Sequence, residues 1–274
     1  MPRYQHIAVA SALSPRFRAV LAEGWRFAQR FGARFSIIHA AGYTPEREEQ
    51  FRQANEALGI PLNTPIIWKD GPEPAASIVE AAREHSVDLL VAGALERDAQ
   101  MHFLGGVARE LMRRLHCSLL LFTHPEVDPH LFRRVVAITD YTDEAREAFR
   151  CALNLAEMDE SEILHVLSVF SPFAKARAEL NDNEHQGRFE DEEEALLEEF
   201  VGPGADSPIT IDPRVIHTTT GMGASDFTKN VDADLLIVPA SAHPEEGTLV
   251  PAYLDWVFKI IPCNLWVVKS TPRA

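Results

Sequence analysis

At 274 residues the chain is longer than an ordinary domain of about 100–150 residues and suits two. Its 46% hydrophobic, 24% charged and 8% aromatic residues are those of a globular protein and exclude a disordered, collagen-like or coiled-coil chain. The formal charge of −15 speaks against nucleic acid, whose phosphates are bound by Lys and Arg. It is also uneven: residues 1–124 carry 14 basic against 13 acidic residues, residues 125–274 carry 12 against 28. Only the first half could receive a polyanion cheaply. No apolar run reaches the roughly 18 residues of a spanning helix, and Met1-Pro2-Arg3-Tyr4-Gln5-His6 lacks the apolar stretch of a signal peptide. The expectation is a cytoplasmic chain without a membrane partner. Cys117, Cys151 and Cys263 are odd in number and lack CxxC spacing, so they read as reduced, packed thiols.

In chain order, the first half predicts strands over residues 5–10, 34–40, 64–69, 88–93 and 118–123. Between the first two, Phe17, Val20, Leu21, Trp25, Ala28 and Phe31 share one helical face. Further helices are expected over 46–58, 74–85 and 104–115. The polar, Pro-containing stretch His124–Pro129 marks a boundary, which gives domains over 1–125 and 130–274.

Beyond it the chain repeats itself. Arg134-Val135-Val136-Ala137-Ile138 parallels His6-Ile7-Ala8-Val9-Ala10, and Glu162-Ile163-Leu164-His165 parallels Ser36-Ile37-Ile38-His39. Asp88-Leu89-Leu90-Val91-Ala92-Gly93 recurs as Asp234-Leu235-Leu236-Ile237-Val238-Pro239, and His116-Cys117-Ser118-Leu119-Leu120-Leu121-Phe122 as Pro262-Cys263-Asn264-Leu265-Trp266-Val267-Val268, both offset by 146 residues. Four blocks in one order indicate duplication. Alternating strands and helices predict two five-stranded α/β sandwich domains with parallel sheets. The second half departs between Ser171 and Pro213, where an acidic run from Glu190 to Glu199 reads as a solvated helical face or a docking surface for a basic partner. The stretch Asn181–Gly187 is polar enough for a mobile loop.

A doubly wound sheet binds ligands at the carboxyl ends of its strands, which points to the turns after Ala10, His39 and Gly93. Gly93 ends a strand, and Gly105-Gly106-Val107 opens a helix whose free amides could cradle an anion. His39 and His165 sit at matching ends of the second strands. One histidine per site without converging partners reads as a structural group, so neither a metal site nor a catalytic residue is expected. Ser11 lacks the surroundings of a nucleophile.

The element order, the duplication, Leu104-Gly105-Gly106-Val107-Ala108-Arg109-Glu110-Leu111, Gly71-Pro72-Glu73-Pro74 and the His116–Phe122 ending resemble a tandem member of the universal stress protein family, over nearly the whole chain. The resemblance implies a stress-response role and a Rossmann-like topology of the adenine-nucleotide alpha-hydrolase type. It also implies a nucleotide site built from an aspartate after the first strand and a loop Gly-x-x-Gly, nine residues, Gly-Ser or Gly-Thr. In the first half Ser11 stands at the aspartate position, Gly93 keeps the first glycine, Glu96 replaces the second, and Gly105-Gly106 ends a loop one residue shorter. In the second half Asp140 keeps the aspartate, but Pro239 and Pro251-Ala252 replace the glycines, and proline has no amide hydrogen to donate.

Two functions follow. One is a non-enzymatic adaptor or sensor with degenerate clefts and partners on the acidic surface. The other is a protein that binds ATP with Mg in the first half, around Ser11, His39, Ala40, Gly93, Glu96, Gly105, Gly106 and Val107, with slow hydrolysis at most. Family members pair domains through the last strand, so the apolar edges Leu119–Phe122 and Leu265–Val268 are expected to pair, making the chain an internal pseudo-dimer that could itself form a homodimer.

Overall fold

A computed structural model describes residues 4–94, 104–170, 186–217, 222–243, 247–250, 252–258 and 261–270. The chain divides into two compact units, one holding the chain up to His130 with Ala242–Leu249, the other Leu131–Ser241 with Val250–Ser270.

The first unit runs β1 (His6–Ala10), α1 (Phe17–Phe31), β2 (Arg34–His39), α2 (Pro45–Leu58), β3 (Ile66–Trp68), α3 (Pro74–Glu84), β4 (Leu89–Gly93), α4 (Gly106–Arg114) and β5 (Ser118–Phe122). Local chemistry sets the helix ends. Thr44 caps α2 by accepting from the Arg47 amide, Pro45 supplies the preset φ of the first turn, and Gly59 leaves the helix in the left-handed conformation at φ 66°. The strands lie in the order β3-β2-β1-β4-β5 and pair in parallel, with Ala10 opposite Ile38 on one side and Ala92 on the other. Their apolar runs, such as Leu89-Leu90-Val91, are fully buried, as befits a sheet covered on both faces. The order reverses at β1, so the crevice between β1 and β4 at their carboxyl ends is where this topology places a ligand.

The second unit contains β6 (Arg134–Thr139), α5 (Asp143–Met158), β7 (Ile163–Phe170), α6 (Gln186–Val201), β8 (Thr210–His217), α7 (Gly223–Asn230), β9 (Leu235–His243, which reaches past the unit's edge) and β11 (Asn264–Ser270). A short β10 (Gly247–Leu249) falls with the first unit. The parallel order is β11-β9-β6-β7-β8. Pro213 lies on the edge strand β8, where a missing amide hydrogen is tolerated. The proposed mobile stretch falls almost wholly outside the described residues.

The duplication is written into one anchoring device. Asp88 Oδ2 accepts from the amides of Gln5 and His6 at 2.9 Å each, and Asp234 Oδ2 accepts from those of Arg133 and Arg134 at 2.7 and 2.8 Å. In both units the aspartate before the fourth strand fixes the start of the first.

On α1, Glu23 is buried, with Oε2 3.3 Å from Arg26 and Oε1 accepting from the Glu126 amide. Burial outweighs the arginine and pushes its carboxyl up to about 7 from the ordinary 4.5. The folded state therefore keeps a proton that the unfolded chain releases near 4.5, and stability present below that pH is lost as pH rises toward 7. Between pH 5 and 8 this amounts to roughly 2 kcal/mol. Melting midpoints of Glu23→Gln should lose this slope; an unchanged slope in the variant would contradict the assignment.

Candidate functional site

A cavity of about 290 Å³ opens in the first unit at the carboxyl ends of β1, β2 and β4, between α1, α3 and α4. Ser11, His39, Ala40, Gly93, Gly105 and Val107, which the sequence singles out, all line it. Gly106, the first residue of α4, stands beside them without itself lining the space. Glu96 lies outside the described residues, and Asp140 belongs to the other unit.

Each lining residue is held for a structural reason. His39 is buried at the end of β2, its Nδ1 donates to the Ser11 carbonyl at 2.7 Å, and its ring meets Phe51 and Trp68 edge-on at 5.3 and 5.4 Å. Arg16 donates to the carbonyls of Thr123 and Ala94 at 3.0 and 3.1 Å. A Cβ on Gly93 would lie 3.2 Å from Val20 Cγ2, so its lack of a side chain also serves packing against α1. Gly105 precedes α4 in extended conformation and gives it no side-chain cap. The remaining wall is mainly apolar, with Phe17, Val20, Ile78, Ala108 and Leu111, and carries Ser14 as a further polar residue.

Counting along the paired strands revises two of the sequence equivalences. Arg34 pairs with His6, but Ile163 pairs with Arg134, because both Glu162 and Ile163 direct their amides at the Arg133 carbonyl and one extra residue enters β7. Ser168 therefore stands level with His39, and His165 level with Ser36, on the opposite face of the sheet. The contacts agree: His165 packs on Phe227 of α7 at 5.2 Å and bonds Asp212 at 2.7 Å, whereas His39 packs on α2. The two histidines are not matching site residues. By the same count Thr139 is level with Ser11 and Asp140 with Ala12, so it is Ala12, another lining residue, that faces the first cavity where the second unit has its aspartate.

In the second unit this corner is filled by the chain itself. Glu193 of α6 accepts at one oxygen from the Tyr141 hydroxyl at 2.7 Å and the Ser168 hydroxyl at 2.6 Å, on the turn after β6 and near the end of β7. Burial, with the Glu193 carboxylate facing it, pushes the Tyr141 hydroxyl well above its ordinary range. Asp140 is spent locally, accepting from the Thr142 hydroxyl at 2.5 Å just before Thr142 caps α5. Pro239 sits in β9, whose pairing with β6 ends at Ile237. Where the first unit has α4, the second has a short 3-10 helix, Ala252–Phe258; Pro251 lies outside the described residues. The acidic run is thus not wholly a solvated face: Glu193, Leu197 and Phe200 turn inward at helical spacing while Asp191, Glu192, Glu194, Glu198 and Glu199 are exposed. Sequence reading missed Tyr141, Ser168 and Glu193, and only the i, i+4, i+7 pattern of Glu193, Leu197 and Phe200 could have betrayed them.

Among the described residues no three His, Cys, Asp or Glu side chains converge as metal ligands, and no helix is long and apolar enough to cross a membrane. Burial pushes the Cys263 thiol upward, away from the reactive thiolate.

Fold and crevice define a tandem α/β protein with two doubly wound units. The universal stress protein family model matches residues 40–123 and 131–269, well over half of the sequence, and the chain belongs to that family. Among solved structures, a universal stress protein from Archaeoglobus fulgidus DSM 4304 is similar at 16% identity and TM-score 0.68, over 96% of this chain and 98% of that one. A functionally unknown protein from Pseudomonas aeruginosa PAO1 is similar at 12% identity and TM-score 0.67, over 97% and 92%. No curated protein matches the sequence.

Proposed function

We propose that the protein acts in the stress response as a non-enzymatic adaptor or sensor, working in the cytoplasm, whose two clefts have departed from nucleotide binding. The observation that carries this reading is a different defect in each unit: Ala12 stands where the second unit has Asp140, so the first lacks that carboxylate, and Glu193 occupies the second unit's corner with a carboxylate that would repel phosphate. The exposed carboxylates of α6 offer a docking face for a basic partner. The melting midpoint should stay unchanged in millimolar ATP with magnesium. A ligand present at a hundred times its Kd would add about 2.7 kcal/mol, so a clear upward shift would contradict the reading. A second reading, ATP with Mg in the first unit, is favoured by Gly93 and by the start of α4, which has no side-chain cap, at the cavity.

A further inference from the structure

The mainly apolar wall of the first cavity holds one unusual group. Ser11 is 5% exposed, lines the cavity, and its Oγ has no hydrogen-bond partner among the described residues. An unpaired buried hydroxyl costs stability unless something in the adjoining space bonds it. Its neighbours do not: His39 Nδ1 is spent on the Ser11 carbonyl, and the Arg16 guanidinium donates to the carbonyls of Thr123 and Ala94. Among the described residues no carboxylate lines the cavity.

We propose that this cavity binds a compact, uncharged, mainly apolar molecule, aromatic or alicyclic, with a single hydroxyl or carbonyl that pairs with Ser11 Oγ. The size agrees. A dry apolar cavity of about 150 Å³ accepts benzene, and this space is roughly twice that, which suits two fused rings. It lies at the small end of ligand pockets, about 300–1,000 Å³, and the burial of Val20, Ile78, Ala108 and Leu111 supplies the apolar contact. The inference rests on the reading of this cleft as no longer a nucleotide site, and gives the sensor a signal of its own.

Naphthol and naphthalene serve as probes in calorimetric titrations of the full chain. Naphthol should bind and Ser11→Ala should weaken it about tenfold, the value of one neutral hydrogen bond, while leaving naphthalene unchanged. Val107→Trp, placed at the partly exposed start of α4 where it does not disturb the core, should narrow the mouth and weaken both. Absence of naphthol binding, or equal loss of both probes in Ser11→Ala, would overturn the proposal. Tighter binding of naphthoate than of naphthol would overturn the uncharged assignment. A parallel ATP titration separates the two readings: ATP binding with naphthol binding retained contradicts only the loss of the nucleotide site, and silence toward both contradicts only the ligand class.

Discussion

Phe51→Ala should destabilise the first unit by about 4 kcal/mol, the range for emptying a fully buried aromatic site. Phe51 has no exposed surface, and its ring meets His39, Phe17 and Trp68 at 5.3, 6.0 and 6.0 Å, joining α2 to α1, β2 and β3. These rings cannot all close on the hole, since His39 is tied to the Ser11 carbonyl and Trp68 to the short β3. The loss should therefore reach the cavity wall as well as stability. Denaturant unfolding that shows less than about 1 kcal/mol of loss would mean the aromatic cluster collapses freely, contrary to this packing.

Gly24→Val should cost about 3 kcal/mol. Gly24 lies on the face of α1 that presses on β1, where an added Cβ would fall 2.1 Å from Val9 Cγ2 and 3.4 Å from Phe35. Val9 is β-branched, fully buried and fixed between Ile37 and Val91 in the sheet, so it has nowhere to turn. Helix and sheet must part, and every contact of α1 with the strands weakens with them. Near-native stability in the variant would show that α1 can slide, which this close approach denies.

Much of the fold was legible because its determinants are local and were copied. Asp88 and Asp234 announce the duplication in the sequence and perform the same anchoring in the structure. Apolar runs such as Leu89-Leu90-Val91 mark parallel strands because a sheet covered on both faces has no polar side to show. The first cavity was equally legible, since a reversal of strand order puts Ser11, His39 and Gly93 together regardless of detail. What was hidden depends on register. That Ala12 rather than Ser11 is level with Asp140 follows from the first strands alone, whose pairing with β4 and β9 sets Ile7 level with Val135. One extra residue at Glu162–Ile163 shifts β7 against its counterpart, so the visually similar His39 and His165 end on opposite faces. No spacing rule in a single sequence reports a bulge. Glu193 was hidden among like charges, where only its contacts distinguish the inward carboxylate from its solvated neighbours.

The central claim is that neither cleft is a nucleotide site. Calorimetric titration with ATP and magnesium tests it most directly, on the intact chain and on Gly106→Glu, whose added side chain meets open space, and Gly93→Pro. The account predicts no heat from the intact chain up to millimolar ATP. Micromolar binding that is lost in both variants would contradict it and make the first unit an ATP site.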